Sequence, residues 1–294
     1  FEEGSHILCT EDLYGGTVRM FESIGEKRGV TFSYIDTSDI ELVRKSIRKE
    51  TKALYIETPS NPTMKVTDFA AMREIADEYG LLIIADNTFL TPYFQKPLTL
   101  GADLVVHSGT KFLGGHNDVL AGFVCIKGKG LSEKLRYTYK TVGCCLPPFD
   151  SFLVLRGIKT LSVRLERQQE NAKKIALWLK DRPEVKAVYY TGLPEHPGYE
   201  INQKQASGCG SMISFKVDSE KRARKLLESV KLISYAESLG GVESLITYPM
   251  LQTHGDVPVE TRERLGITED FLRMSVGIEN AEDLIADLEQ ALAE

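Results

Sequence analysis

The chain has 294 residues, with 42 acidic side chains against 36 basic ones and a formal net charge of −6. Hydrophobic residues make up 42% and charged residues 27%, the balance of a globular protein with chain enough for one large core or two modest ones. The acidic balance, without a long basic run, excludes nucleic acid as the main partner, and the longest apolar stretches, such as residues 81–85, are far too short to span a bilayer.

The chain opens Phe1-Glu2-Glu3-Gly4, without an initiator methionine or a charged-then-apolar leader, directly before a strand-like run at residues 6–9. Ser38 and Glu41 form a capping-box signature for a helix through Val43 and Ile47. A short buried strand at 53–56 stops at Thr58-Pro59-Ser60-Asn61-Pro62. A second helix starts near Thr67 or Asp68, places Phe69, Met72, Ile75, Ala76 and Tyr79 on one face, and ends at Gly80. Strands at 81–85 and 104–107 follow, ending on Asp86 and on Ser108-Gly109-Thr110-Lys111. This alternation predicts an α/β fold with a mostly parallel sheet, whose ligand sites lie just beyond successive strands.

Beyond Pro147-Pro148 the texture changes. A long helix over roughly 162–180 buries Leu165, Ala172, Ile175, Ala176 and Leu179, followed by strands at 185–190, 212–217, 232–237 and 272–276 and a helix at 222–230. Asn280 caps a final amphipathic helix. This predicts a smaller α+β C-terminal domain, residues 156–294, after a large domain, residues 1–155, with the change of unit at the long helix.

Lys111 is the centre of the chemical argument. A lysine at a strand end among Ser108, Thr110 and Gly114-Gly115 suits a Schiff-base amine, and neighbouring hydroxyls suit a phosphate. Alone the tetrapeptide is a weak signal, because most lysines are solvated surface charges, and it lacks P-loop spacing. Asp86 strengthens it. Pyridoxal phosphate needs a lysine, a carboxylate at the pyridinium nitrogen and a phosphate cup. Either residue by itself reads as ordinary, Asp86 as a cap or turn residue. At the ends of successive strands they favour the cofactor.

Eight ordered stretches make the chain resemble the pyridoxal-phosphate-dependent Cys/Met metabolism (trans-sulfuration) family along almost its whole length. They are Asp12-Leu13-Tyr14-Gly15-Gly16-Thr17, Glu57-Thr58-Pro59-Ser60-Asn61-Pro62, Ala85-Asp86-Asn87-Thr88-Phe89 and His107-Ser108-Gly109-Thr110-Lys111-Phe112. Gly115-His116-Asn117-Asp118, Arg156-Gly157-Ile158-Lys159-Thr160-Leu161, Glu237-Ser238-Leu239-Gly240-Gly241 and Arg273-Met274-Ser275-Val276-Gly277 complete the set. The resemblance implies a fold-type I pyridoxal-phosphate transferase fold, with Lys111 as the cofactor-linked lysine and proton shuttle. It implies that Asp86 pairs with the pyridinium nitrogen, Ser108 and Thr110 bind the phosphate, and Tyr14 stacks on the ring and acts in acid–base catalysis. Asn61 would bond near the cofactor's phenolic oxygen and the substrate carboxylate, which Arg273 would hold as a bidentate pair with help from Ser238. Without the resemblance, Tyr14 reads equally as a core aromatic, Asn61 as a turn residue and Arg273 as a surface residue.

Within the family, Gly16 differs from the cysteine typical of methionine γ-lyases, and Glu237 resembles the acidic residue of cystathionine γ-lyases and γ-synthases. A carboxylate there suits the distal amino group of cystathionine or the amino group of cysteine, although a glutamate at a strand end is unremarkable alone. The expected reaction is therefore at the Cγ–S bond of cystathionine, with cystathionine β-lyase or O-acetylhomoserine sulfhydrylase as alternatives. An aminotransferase of the same fold and an inactive remnant acting only as an assembly module are the readings from other classes. The resemblance also implies a cytoplasmic location and a small amino-acid substrate, a homotetramer built as a dimer of dimers for the full-length parent, and neither nucleic acid nor membrane as partner. Family members carry an N-terminal segment ahead of the point where this sequence starts, which contributes to the phosphate site, so weak cofactor binding and impaired assembly are expected of this chain. The five cysteines lack a disulfide framework, and His107 and His116 lack metal-ligand spacing, so no metal and no catalytic thiol are expected.

Overall fold

Apolar runs that end in polar residues build two sheets joined by a long helix. The computed structural model describes residues 1–293 except 253, 254, 256 and 258. The first sheet contains β1 (His6–Thr10), β2 (Thr31–Ile35), β3 (Thr51–Glu57), β4 (Leu82–Asp86), β5 (Leu104–Ser108) and β6 (Gly122–Ile126), in the order β2-β1-β3-β4-β5-β6. All pairs are parallel except β5 with β6. The second sheet contains β7 (Val185–Tyr189), β8 (Met212–Val217), β9 (Ser234–Tyr235), β10 (Leu245–Thr247) and β11 (Phe271–Ser275), in the order β7-β8-β11-β10-β9.

The central parallel strands are continuous apolar runs because both faces are covered. One face packs Leu54, Ile56, Ile83 and Val105 against Phe69, Met72, Ile75 and Ala76 of the helix Phe69–Tyr79. The other face packs Ile7, Cys9 and Tyr55 against Leu13 and Phe21. The helix Leu161–Lys180 buries Ala172, Ile175, Ala176 and Leu179 against Ile213, Phe215 and Leu284, as its apolar stripe requires. Near its start, Leu161 and Leu165 join Phe89, Phe112 and Leu239 in a cluster between the sheets. That cluster lies directly under the turn that carries Lys111.

Several expected elements shift. Asp39, not Ser38, caps the helix Ile40–Ser46: its carboxylate accepts from the Leu42 N–H at 3.0 Å, while the Ser38 hydroxyl is engaged by Asp36 at 2.6 Å. Tyr79 is 45% exposed, because it is the last helical residue and Gly80 reverses the chain at φ +65°. The strand expected at 232–237 forms only at Ser234–Tyr235, a short edge strand along β10, after which the chain leaves the sheet toward Lys111. Strands β2, β6 and β10 and the helices Gly15–Met20, Thr91–Phe94, Lys129–Val142, Pro148–Ile158, Tyr199–Gln205 and Val259–Leu265 were not anticipated. β6 is half exposed and starts on glycine, and β10 has only three residues, so neither carries a strong period. Among the described residues no helix is long and apolar enough to cross a membrane.

Candidate active site

Lys111 sits in the tight turn Gly109–Leu113 that follows β5, with φ −92° and ψ −128° placing it outside helical geometry. The antiparallel strand β6 makes this turn possible. Ala121, just before it, accepts from the Gly109 N–H at 2.7 Å and donates its own N–H to the Thr110 hydroxyl at 3.0 Å. From the other side the buried Arg164 donates to the Phe112 carbonyl at 2.8 Å, the Gly157 carbonyl at 2.9 Å and the Thr160 hydroxyl at 3.2 Å. Gly157 lies so close to the Gly114 carbonyl that an added Cβ would collide with backbone. The lysine is therefore held at both ends of its turn by groups far away in sequence.

The Lys111 amine donates to the Ser238 hydroxyl at 2.9 Å. Ser238 has φ +100°, and Gly240 follows with φ +80°, where an added Cβ would stand 2.7 Å from the Phe112 nitrogen. The loop can press onto the lysine turn only because this position lacks a side chain. Burial and the nearby Arg273 charge lower the Lys111 pKa, with Glu237 opposing.

Arg273 lies in the middle of β11, with Ser214 and Thr247 as its register partners on either side. It is 2% exposed, and donates to Asn61 Oδ1 at 2.7 Å, the Ser238 carbonyl at 3.0 Å and the Thr247 hydroxyl at 3.1 Å. Its Nε is buried without a hydrogen-bond partner in the structure. Desolvation pushes its pKa down to about 10, against the pull of Glu237 and Glu57. The guanidinium stays charged at neutral pH, so a buried cation with an unused donor awaits an acceptor. Asn61 is placed by the buried Asp12 carboxylate, which accepts from the Ser60 hydroxyl and the Thr63 N–H at 2.9 Å each and from the Thr63 hydroxyl.

Asp86 ends β4. The Thr88 N–H and hydroxyl donate to its Oδ1 at 3.0 and 2.6 Å, and the same hydroxyl accepts from the Ser108 N–H at 2.9 Å. The ends of β4 and β5 are thus tied together, and burial raises the Asp86 pKa while the Thr88 bonds oppose the rise. Tyr14 is 52% exposed at the start of the helix Gly15–Met20, its N–H donating to the Glu57 carboxylate at 3.0 Å. A cavity of about 570 Å³ opens beside Thr110, Glu237 and Ser238, with Asn117 and Asp118 on its other wall.

The structure therefore links Lys111, Ser238, Arg273 and Asn61 in one bonded chain, ties Asp86 to Ser108 through Thr88, and leaves Tyr14 and Glu237 exposed at the margin. Sequence reasoning missed Glu57, Thr88, Arg164 and Thr247 as parts of the site. Glu57 and Thr88 stood inside stretches already singled out, while Arg164 gave no signal because it is one of several basic residues on an amphipathic helix.

The family described as Cys/Met metabolism PLP-dependent enzyme matches residues 1–293 of the chain. Cystathionine gamma-lyase of Bacillus subtilis (strain 168) is 50% identical over 292 residues, covering 99% of this chain and 77% of the relative. Cystathionine beta-lyase of Coxiella burnetii is 47% identical over 294 residues, covering 99% of this chain and 76% of the relative. The crystal structure of cystathionine gamma-lyase from Lactobacillus plantarum complexed with L-serine superposes with a TM-score of 0.97 at 44% identity, covering 100% of this chain and 77% of that one.

Proposed function

The chain belongs to the Cys/Met metabolism PLP-dependent enzyme family, and from that premise we propose that it acts at the Cγ–S bond of cystathionine, with Lys111 as its central amine. It is a pyridoxal-phosphate-dependent carbon–sulfur enzyme of sulfur amino acid metabolism. The observation that carries the proposal is the single residue bridging amine and guanidinium: the Ser238 hydroxyl accepts from Lys111 while its carbonyl accepts from Arg273.

The residues present fit the cofactor. Asp86 is a partly buried carboxylate whose hydrogen bonds come from its own turn, as an anion paired with a ring N–H needs. Ser108 ends β5 and Thr110 lies in the turn beside Lys111, and both would hold the phosphate, while Lys111 would carry the cofactor and Tyr14 would cover its ring. When bound, pyridoxal phosphate supplies a ring that takes up the electron pair left by a departing α-proton.

The chain's own residues do the rest. Arg273 binds the substrate α-carboxylate and fixes the direction of the Cα–H bond, with Asn61 positioning the guanidinium. Lys111, whose pKa is lowered by burial and by the Arg273 charge, takes the α-proton and returns one at Cγ or Cβ. Glu237, at the cavity wall, recognises a distal ammonium group. Relatives named for β- and γ-chemistry are similarly close, so β-elimination is the second reading.

A homotetramer acting in the cytoplasm completes the proposal. Tyr137, Val142, Phe149 and Leu155, on the helices Lys129–Val142 and Pro148–Ile158, are each at least 65% exposed, and large exposed apolar side chains of this kind suit contact with further copies of the chain. All five cysteines are free thiols, which suits a reducing compartment.

The test is to add pyridoxal phosphate and cystathionine to the purified protein and identify the keto acid. A visible band lost on Lys111→Ala, with 2-oxobutyrate as product, supports γ-elimination. Pyruvate supports the β-reading, and cystathionine formed from an activated homoserine and cysteine supports the synthase direction. The absence of a Lys111-dependent band overturns the assignment of the site.

A further inference from the structure

Glu57 ends β3 and Asp86 ends β4, and the parallel register pairs the two positions directly. Residues paired in this way leave the same face of a sheet on strands about 4.8 Å apart. Glu57 is 6% exposed. The groups facing it are Asp86 from β4, the buried Asp12 from the loop after β1, Arg273 from β11 and the Tyr14 N–H, which donates to it at 3.0 Å. The terminal nitrogens of the Arg273 guanidinium bond Asn61, Ser238 and Thr247, and among the described residues Glu57 has no bonded cation. Asp86, by contrast, accepts two hydrogen bonds from Thr88, which favour its ionised form. Two carboxylates this close and this dry do not both ionise, and the better-solvated one keeps the charge.

We propose that Glu57 holds a proton at neutral pH, so that the Glu57–Asp86 pair carries one negative charge and that charge resides on Asp86. Desolvation, with Asp86 and Asp12 adding to it, holds the Glu57 carboxyl well above the usual carboxylate range. Glu57 is then a positioning residue with two effects. It keeps the anion on the carboxylate read above as the partner of the cofactor nitrogen, and it fixes the turn that begins at Tyr14. The second half of the inference rests on that reading of Asp86, whereas the proton on Glu57 stands without it.

Infrared spectroscopy of the chain at pH 7, without cofactor, tests the proton directly. The carbonyl stretch of a protonated carboxylic acid is expected in the wild type and absent from Glu57→Gln. No such band in the wild type overturns the proposal, as does a band that persists in Glu57→Gln. Should Glu57→Gln fail to fold, Glu57→Asp decides: a displaced band supports the proposal and an unmoved one overturns it. Pyridoxal phosphate titration then tests the link to Asp86. Glu57→Gln, an isostere of the protonated acid, is expected to bind within fivefold of wild type, and a larger loss shows that a negative charge at Glu57 is needed and overturns the proposal. If the wild type shows the acid band but Asp86→Asn leaves cofactor binding unchanged, the reading of Asp86 fails while the proton on Glu57 stands.

Discussion

The Lys111 amine donates to the Ser238 hydroxyl at 2.9 Å, a bond between residues 127 positions apart that fastens the turn after β5 to the loop before β10. Ser238 makes this bond from φ +100°, a region that costs a residue with a side chain about 1–3 kcal/mol. The strain is tolerated where two sheets and one loop fix the backbone together. Ser238→Ala is expected to lower kcat/KM about tenfold through loss of the hydroxyl. Ser238→Gly should be as slow as Ser238→Ala but melt at a higher temperature, since glycine adopts positive φ without strain. Steady-state kinetics and thermal unfolding of both variants check this, and an alanine variant with wild-type kinetics would remove Ser238 from the mechanism.

Arg273 and Glu237 act on Lys111 with opposite signs. Removing the positive neighbour in Arg273→Gln should raise the Lys111 pKa, and removing the negative one in Glu237→Gln should lower it. The rate at which added pyridoxal phosphate gains its Lys111-dependent band, followed against pH, should show midpoints moving in those two directions. Arg273→Lys keeps the charge but loses the fork that Asn61, Ser238 and Thr247 hold, and about a hundredfold drop in kcat/KM is expected.

Two residues remote from the reacting atoms should prove essential to the lysine turn. Arg164→Gln removes a buried cation that satisfies three acceptors and should destabilise the protein by about 2–4 kcal/mol. Gly157→Ala drives a methyl group into the Gly114 carbonyl and should cost about 1–3 kcal/mol with a further loss of cofactor affinity. Denaturant unfolding measures the first quantity, and pyridoxal phosphate titration the second. Alanine at 157 with unchanged affinity would show that the turn tolerates displacement.

His107 makes the stability pH-dependent. Burial lowers its pKa from 6.5 to about 4, so the folded chain keeps it neutral while the unfolded chain protonates it. The unfolded state then binds more protons across that window, and stability rises with pH through it. On acidification the contribution is complete above about pH 6.5 and is lost progressively toward pH 4, up to about 3 kcal/mol. His107→Gln should flatten this part of the Tm–pH curve, and an unchanged slope would place the acid sensitivity elsewhere.

How far the sequence alone reaches is visible in particular residues. Lys111 and Asp86 were legible because Asp86 ends one buried apolar run and Lys111 stands just past the next, where a buried parallel strand sheds its polar residues. Helix Phe69–Tyr79 was legible because a period of 3.6, the Asp68 cap and Gly80 are local signals. Arg273 was placed by the motif it opens, not by its period, and nothing local says that it is buried.

What the tertiary structure decided is which distant residues meet. Glu57 faces Asp86 only through the β3–β4 register, Arg164 reaches the Phe112 carbonyl only after the long helix docks, and Ser238 meets Lys111 only when its loop leaves the second sheet. Each is a contact between residues far apart in the chain, and its strength depends on how much water the fold excludes from around both partners. Hydrophobic period and caps are set by neighbours three or four residues away and can be read from the chain itself. Desolvation and charge–charge contact depend on which surfaces come together, and so the protonation of Glu57, Lys111 and Arg273 belongs to the fold rather than to the sequence.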